Sequence, residues 1–207
     1  MKAKDKEIRA YMCDVSTRSD EKHGNILEGI PIIYDAETDI GGMWKEIIDR
    51  GALDEADLKD VRFLVNHDVD SIPLARSRNN NENSTMQMTI EEDGLHVRVD
   101  LDTEGNPRAK ELYSAIKRQD VSGMSFMFNV KDDKWDDLDT DYPTRHITAL
   151  GKVFEVSAVT FPAYEQTSIN ARSLESGKAS LDSAREALEN ARKTDELRKA
   201  IIERCKK

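Results

Sequence analysis

Thr85-Met-Gln-Met-Thr-Ile-Glu-Glu-Asp-Gly-Leu-His-Val-Arg-Val-Asp-Leu101 alternates apolar and polar residues on both sides of an acidic turn. In the first arm Met86, Met88 and Ile90 share a face. In the second, Leu95, Val97, Val99 and Leu101 stand opposite His96, Arg98 and Asp100. Successive side chains of a strand point to opposite faces, so this alternation marks half-buried strands. With Asp93-Gly94 as the turn, the stretch reads as a β-hairpin, and it sets an antiparallel β framework for the chain.

Toward the C-terminus, Asn106-Pro107 predicts a helix start, with asparagine as N-cap and proline in the first turn. Leu112, Ala115 and Ile116 supply its buried face, and it fades near Gln119. Val121-Ser-Gly-Met-Ser-Phe-Met-Phe-Asn-Val130 then reads as a strand. Met124, Phe126, Phe128 and Val130 fall on one face, with Ser125, Met127 and Asn129 on the other. Lys131 to Tyr142 is acidic and turn-like. Two strands are expected at Thr144 to Leu150 and Lys152 to Thr160, closed by Phe161-Pro-Ala-Tyr164. Beyond Ser173, Leu181, Ala184, Leu188, Ala191, Leu197 and Ile201 are spaced for a charged amphipathic helix.

Toward the N-terminus, Val61-Arg-Phe-Leu-Val-Asn-His67 has the apolar density of a buried strand and ends on a histidine. Asp68 to Ser84 is irregular and rich in turn formers, and it reads as an exposed loop. Asp54 to Asp60 is expected to be helical, and Trp44, Ile47 and Ile48 suggest a short helix or turn before Gly51. Glu7 to Met12 and Asn25 to Tyr34 are strands, the second carrying Pro31 at an edge or a bulge. The reading is therefore a mainly β fold with peripheral helices, barrel-like or sandwich-like. The boundary lies near Arg172, giving a body of residues 1–172 and a helical tail of 173–207.

Composition narrows the function. The chain has 207 residues, a formal net charge of −10 and 35% charged residues, which argues against a basic nucleic-acid-binding face. No apolar run reaches the roughly 20 residues of a membrane span, and the charged start does not resemble a signal peptide. Cys13 and Cys205 form no metal or disulfide motif, so an intracellular setting is expected. His23, His67, His96 and His146 are too scattered for a metal site. Asp132 to Asp141 lacks the glycine and glutamate of a calcium loop. Gly41-Gly42 alone is a turn. No metal or organic cofactor is expected.

Three residues suggest chemistry. A serine hydroxyl is a poor nucleophile until an imidazole takes its proton, and the imidazole needs a carboxylate to orient it. Ser125 within a strand, His67 at a strand end and Glu155 inside Val153-Phe-Glu-Val-Ser-Ala-Val159 could supply such a set. Residue pattern leaves the alternatives open: Ser125 as a packed core serine, His67 as part of a polar turn, and Glu155 facing solvent alongside Ser157. A Gly-x-Ser-x-Gly elbow is absent, which disfavours an α/β-hydrolase esterase.

Val61-Arg-Phe-Leu-Val-Asn-His-Asp68, Val121-Ser-Gly-Met-Ser-Phe-Met-Phe128 and Phe154-Glu-Val-Ser-Ala-Val-Thr-Phe-Pro-Ala-Tyr164 resemble, in this order, the three signature blocks of the tailed-bacteriophage prohead (capsid maturation) serine protease family. The resemblance spans roughly residues 7 to 170. It implies a fold similar to the herpesvirus assembly proteases, a β-barrel surrounded by helices. It implies His67 as general base, Ser125 as nucleophile and Glu155 as the orienting acid. His146 is the runner-up for the third role, since the herpesvirus enzymes use a second histidine. Backbone N–H groups and Arg145 are candidates for the oxyanion.

The implied activity is a serine endopeptidase acting through an acyl-enzyme. Its implied partners are the major capsid protein with its scaffolding segment and other internal prohead proteins, inside the immature capsid in the host bacterial cytoplasm. Self-cleavage is expected, self-association is left open, and neither nucleic acid nor membrane is a partner. Two stretches, Pro73-Leu-Ala-Arg-Ser-Arg78 and Asn83-Ser-Thr-Met-Gln87, depart from the family pattern, which bears on cleavage preference. The alternative is a non-enzymatic capsid assembly or scaffold protein that retains the fold.

Overall fold

A computed structural model describes residues 6–12, 15–20, 24–160 and 171–205. The strands are β1 (Glu7–Met12), β2 (Ser16–Asp20), β3 (Gly24–Ile33), β4 (Thr38–Asp39), β5 (Lys45–Ile48), β6 (Asp60–Val65), β7 (Ala75–Arg78), β8 (Met86–Glu91), β9 (Gly94–Leu101), β10 (Gly123–Asp136) and β11 (Thr144–Val159). The helices are α1 (Pro107–Lys117) and α2 (Ala171–Cys205). A seven-stranded sheet runs β1-β10-β11-β5-β4, with β6 also on β11 and β7 on β6. A four-stranded sheet runs β2-β3-β9-β8. The fold is mainly β, as expected.

The hairpin forms with Glu91 opposite Gly94 and Met88 opposite Val97. Its turn residues are Glu92 and Asp93, and Gly94 opens the second strand. Gly94 has φ +151°, and a Cβ there would lie 1.9 Å from the carbonyl oxygen of Ile32, so only glycine fits. Pro31 falls in the bulge where the β3–β9 register jumps between Gly29 and Ile32. The sheets face each other across a core in which Leu27, Val97 and Val99 meet Met124, Phe126, Phe128 and Val156, all buried. Burying such side chains stabilises the fold by roughly 1.5–3 kcal/mol each. Asn106 caps α1 by accepting the N–H of Arg108 at 3.1 Å, and Ala109, Leu112 and Ile116 face inward.

The expected barrel is not closed. At the β7/β8 seam Asn79 and Asn80 take positive φ and end β7. One backbone bond, Thr85 N–H to Arg76 O at 3.1 Å, crosses the gap, and side chains span the rest: Met88 N–H donates to Asn80 Oδ1 at 3.0 Å, and Arg76 N–H to Thr85 Oγ1 at 2.9 Å. The segment expected to be a loop from Asp68 to Ser84 thus contains a strand, β7, paired to β6.

Several other segments differ from the expected elements. Trp44 to Ile48 is not a helix: β5 runs parallel to β11 and points Glu46 and Ile48 inward. Asp54 to Asp60 is not a helix either, because Asp57 N–H bonds Gly151 O at 2.9 Å and joins β11 by a bridge. Lys131 to Asp136 continues β10, and the two expected C-terminal strands are one, β11. That strand pairs β5 in its first part and β6 in its second. Ser16 to Asp20 adds β2, which lacks the alternation that would mark it. Phe161 to Tyr164 lies outside the described residues.

The first half of α2 rests on the body. Gly177 lies so close to Trp44 that a Cβ would be 2.5 Å from its ring. Trp135 donates its indole N–H to Ser180 Oγ at 2.9 Å, Leu181 is buried, and Ser176 Oγ donates to Glu7 Oε1 at 3.1 Å. Beyond Arg192, which pairs with Asp139 at 2.5 Å, Leu197, Ile201 and Ile202 are exposed.

Candidate active site

β6, β10 and β11 bring the three candidate residues together. β11 lies between the other two: Ser157 is level with Ser125 on β10 and with Leu64 on β6. Side chains two apart on a strand share a face, so Glu155 and Ser157 both project toward the face that bears Ser125. The chain leaves β6 through Asn66 and His67, both left-handed at φ 51° and 57°. Asparagine tolerates this conformation well; histidine less so, and the cost is of order 1–3 kcal/mol.

Hydrogen bonds hold that turn. Asn66 N–H donates to Ala158 O at 2.9 Å, Thr160 N–H to Asn66 Oδ1 at 2.9 Å, and His67 N–H to Ser157 Oγ at 3.1 Å. The turn swings the imidazole back over the sheet. His67 Nε2 lies 2.5 Å from Ser125 Oγ, and His67 Nδ1 lies 2.6 Å from Glu155 Oε1. A single line of hydroxyl, imidazole and carboxylate results.

The surroundings suit that line. Ser125 and Glu155 are buried, while the His67 side chain is 19% exposed. A buried carboxylate unpaired would cost several kcal/mol. Here both oxygens have partners, since Ser157 Oγ donates to Glu155 Oε2 at 2.6 Å. With its Nδ1–H given to Glu155, the neutral imidazole leaves Nε2 as an acceptor for the serine proton. That is the arrangement which raises the nucleophilicity of a hydroxyl. Ser125 Oγ also lies 2.8 Å from the carbonyl oxygen of Arg9 on β1.

The remaining candidates lie elsewhere. His146 sits nine residues before Glu155 on β11, roughly 30 Å away along an extended strand. Its Nδ1 pairs with Asp49 at 2.7 Å. Arg145 is buried among Glu7, Glu46 and Asp133, with Nη1 3.1 Å from Glu46 Oε2 and Nε 2.6 Å from Asp133 Oδ2. It has no free face for an oxyanion. Arg9 completes this cluster through Glu46 and through Glu7, the latter at 2.6 Å. His96 belongs with Glu91 and Asp93 at the exposed hairpin turn. Ser157 is the residue of this site to which the sequence assigned no role. Its position two residues after Glu155 was the available signal, but it reads equally as a solvent-facing pair.

A family model described as caudovirus prohead serine protease matches residues 13–180. Among solved structures, the bacteriophage T4 capsid assembly protease is similar at 15% sequence identity, with a TM-score of 0.41, over 75% of this chain and 99% of that one. No curated protein matches.

Proposed function

The chain belongs to the caudovirus prohead serine protease family, and from that premise we propose that it is a capsid maturation endopeptidase with Ser125, His67 and Glu155 as its catalytic triad. The observation that carries the assignment of residues is the continuous contact from Ser125 Oγ through His67 to Glu155. Ser125 attacks the scissile carbonyl while His67 Nε2 takes its proton, and His67 returns that proton to the leaving amine. A water deprotonated by the same imidazole then releases the acyl group from Ser125. Glu155 keeps the proton of the neutral ring on Nδ1 and stabilises the imidazolium. No residue of this set requires a metal or organic cofactor.

The substrates in this reading are the scaffolding segment of the major capsid protein and other internal prohead proteins, and the enzyme also cleaves itself. It works inside the immature capsid, within the host cell. No helix among the described residues is long and apolar enough to cross a membrane. Residues 1–172 form the protease domain and 173–207 the charged helical tail. Because α2 is docked as far as Arg192, the exposed part beyond it is the portion that would reach a scaffold.

Coexpression with the capsid protein of the same phage tests the proposal. Processing is expected with the unaltered chain and absent with Ser125→Ala; equal processing in both would reject it. Deleting 193–207 is expected to reduce incorporation into proheads while leaving cleavage in solution intact. Normal incorporation would remove the scaffold-binding role.

A further inference from the structure

Ser157 makes two contacts that bear on the site. Its hydroxyl has one proton, and that proton goes to Glu155 Oε2 at 2.6 Å. The same oxygen accepts the backbone N–H of His67 at 3.1 Å. One side chain therefore holds both partners of the Nδ1–Oε1 contact: the carboxylate by its second oxygen, and the histidine by its own backbone. Ser157 is fully buried, so no water replaces these bonds.

We propose that Ser157 is a positioning residue for the Ser125–His67–Glu155 set, acting through Glu155 and the His67 backbone without touching substrate. This rests on the protease reading above and adds a fourth residue to it. A carboxylate held by one oxygen only can rotate about its terminal torsion, which is broad. Ser157 removes that freedom and leaves Oε1 aimed at Nδ1. It also pins the backbone of a histidine whose φ of 57° is unfavourable for its residue type. A misplaced base costs rate even when every reacting group is present.

The test is the second-order rate at which an alkyl fluorophosphonate labels Ser125, followed by mass spectrometry on the full chain. In that reaction Oγ bonds to phosphorus, fluoride leaves, and His67 takes the hydroxyl proton. Ser157→Ala is expected to slow labelling by about 10- to 100-fold, the range for outer partners that orient a functional group. Ser157→Thr keeps the hydroxyl and is expected to stay within about threefold of the unaltered chain. In a Glu155→Gln background, Ser157→Ala should cost a smaller factor than in the unaltered chain, because residues acting as a unit are not additive, and what remains is the share carried by the His67 backbone.

An unchanged rate in folded Ser157→Ala overturns the inference. So does a loss of equal factor in the Glu155→Gln background, or Ser157→Thr falling as far as Ser157→Ala. If Ser157→Ala does not fold, Ser157→Cys takes its place, and its weaker donor should slow labelling. A rate equal to the unaltered chain then overturns the inference. Label attached to a residue other than Ser125 instead sinks the protease assignment itself, whatever Ser157 does.

Discussion

The carbonyl oxygen of Arg9 stands 2.8 Å from the hydroxyl of Ser125, while the guanidinium of Arg9 is buried among Glu7 and Glu46. One residue of β1 thus belongs both to the candidate nucleophile's surroundings and to a buried ion cluster. The cluster reaches on through Arg145 to Asp133, and Ser176 and Ser180 of α2 donate to its carboxylates. The anchoring of α2 and the placement of β1 beside Ser125 share these charges.

The triad assignment predicts an uneven set of losses. Ser125→Ala and His67→Ala should each lower peptide hydrolysis by roughly a millionfold, and Glu155→Gln by roughly ten-thousandfold. His146→Gln should leave hydrolysis within about twofold, since the half-buried His146 pairs with Asp49 far from the reacting atoms. Kinetics on a capsid-derived peptide would separate them. A large loss in His146→Gln with none in Glu155→Gln would transfer the third role.

Acid should loosen the fold through Glu46. Burial, the largest influence, pushes its carboxyl up, but the guanidiniums of Arg9 and Arg145 outweigh it and hold the carboxyl below its usual range. A depressed carboxyl contributes stability that is complete above its unfolded value, about 4.3. That contribution disappears as pH falls through the lower folded value. Urea titrations from neutral pH to pH 3 should therefore show stability falling below about pH 4.3. Glu46→Gln, which removes one of the carboxylates that Arg9 and Arg145 share, should cost up to about 3–5 kcal/mol at pH 7 and flatten the acid limb. An unchanged acid limb in that variant would remove Glu46 as its source.

Gly177 should tolerate no large side chain. Two carbons of the buried Trp44 ring lie 2.5 and 2.9 Å from where a Cβ would stand. Gly177→Leu is expected to destabilise the docked half of α2 by about 1–3 kcal/mol, a typical overpacking cost. Near-ultraviolet circular dichroism would report it, because Trp44 and Trp135 pack edge to face with centroids 5.7 Å apart. An unaltered aromatic signal and midpoint would mean that α2 does not dock there in solution.

Gly94→Ala should damage the hairpin rather than the site. The added methyl would meet the Ile32 carbonyl oxygen at 1.9 Å, on a backbone with φ +151°. A cost at or above about 1–3 kcal/mol is expected from the backbone alone. Chemical denaturation would show a lower midpoint, and folded protein should still label at Ser125. A midpoint equal to that of the unaltered chain would contradict the register at Ile32.

Elements defined by near neighbours in the chain were legible. The hairpin of Met86–Leu101 and the capped helix at Pro107 carry their own periodicity and turn chemistry, and Pro31 marked its bulge. His67, Ser125 and Glu155 could be nominated because a histidine ending an apolar strand and a carboxylate inside another are unusual at those places. Residue pattern alone did not decide among the alternatives.

Glu46 shows why other parts were not legible. Counted as polar, it turned β5 into an apparent helix of Trp44, Ile47 and Ile48. It points inward only because Arg9 and Arg145, distant in the chain, arrive to neutralise it. The same holds for the acidic strand end at Lys131–Asp136, where Asp133 turns to Arg145.

The sequence by itself determined the strand alternation, the turns and caps, and the residue types able to form a hydroxyl–imidazole–carboxylate line, since these depend on local backbone sterics and on chemistry within a few residues. Only the tertiary structure decided that His67 reaches Ser125, that Glu155 rather than His146 meets its ring, that Ser157 faces inward, and that the sheets stay open. Those outcomes depend on strand order and register: β11 lies between β6 and β10, and pairings across tens of residues carry no local signature.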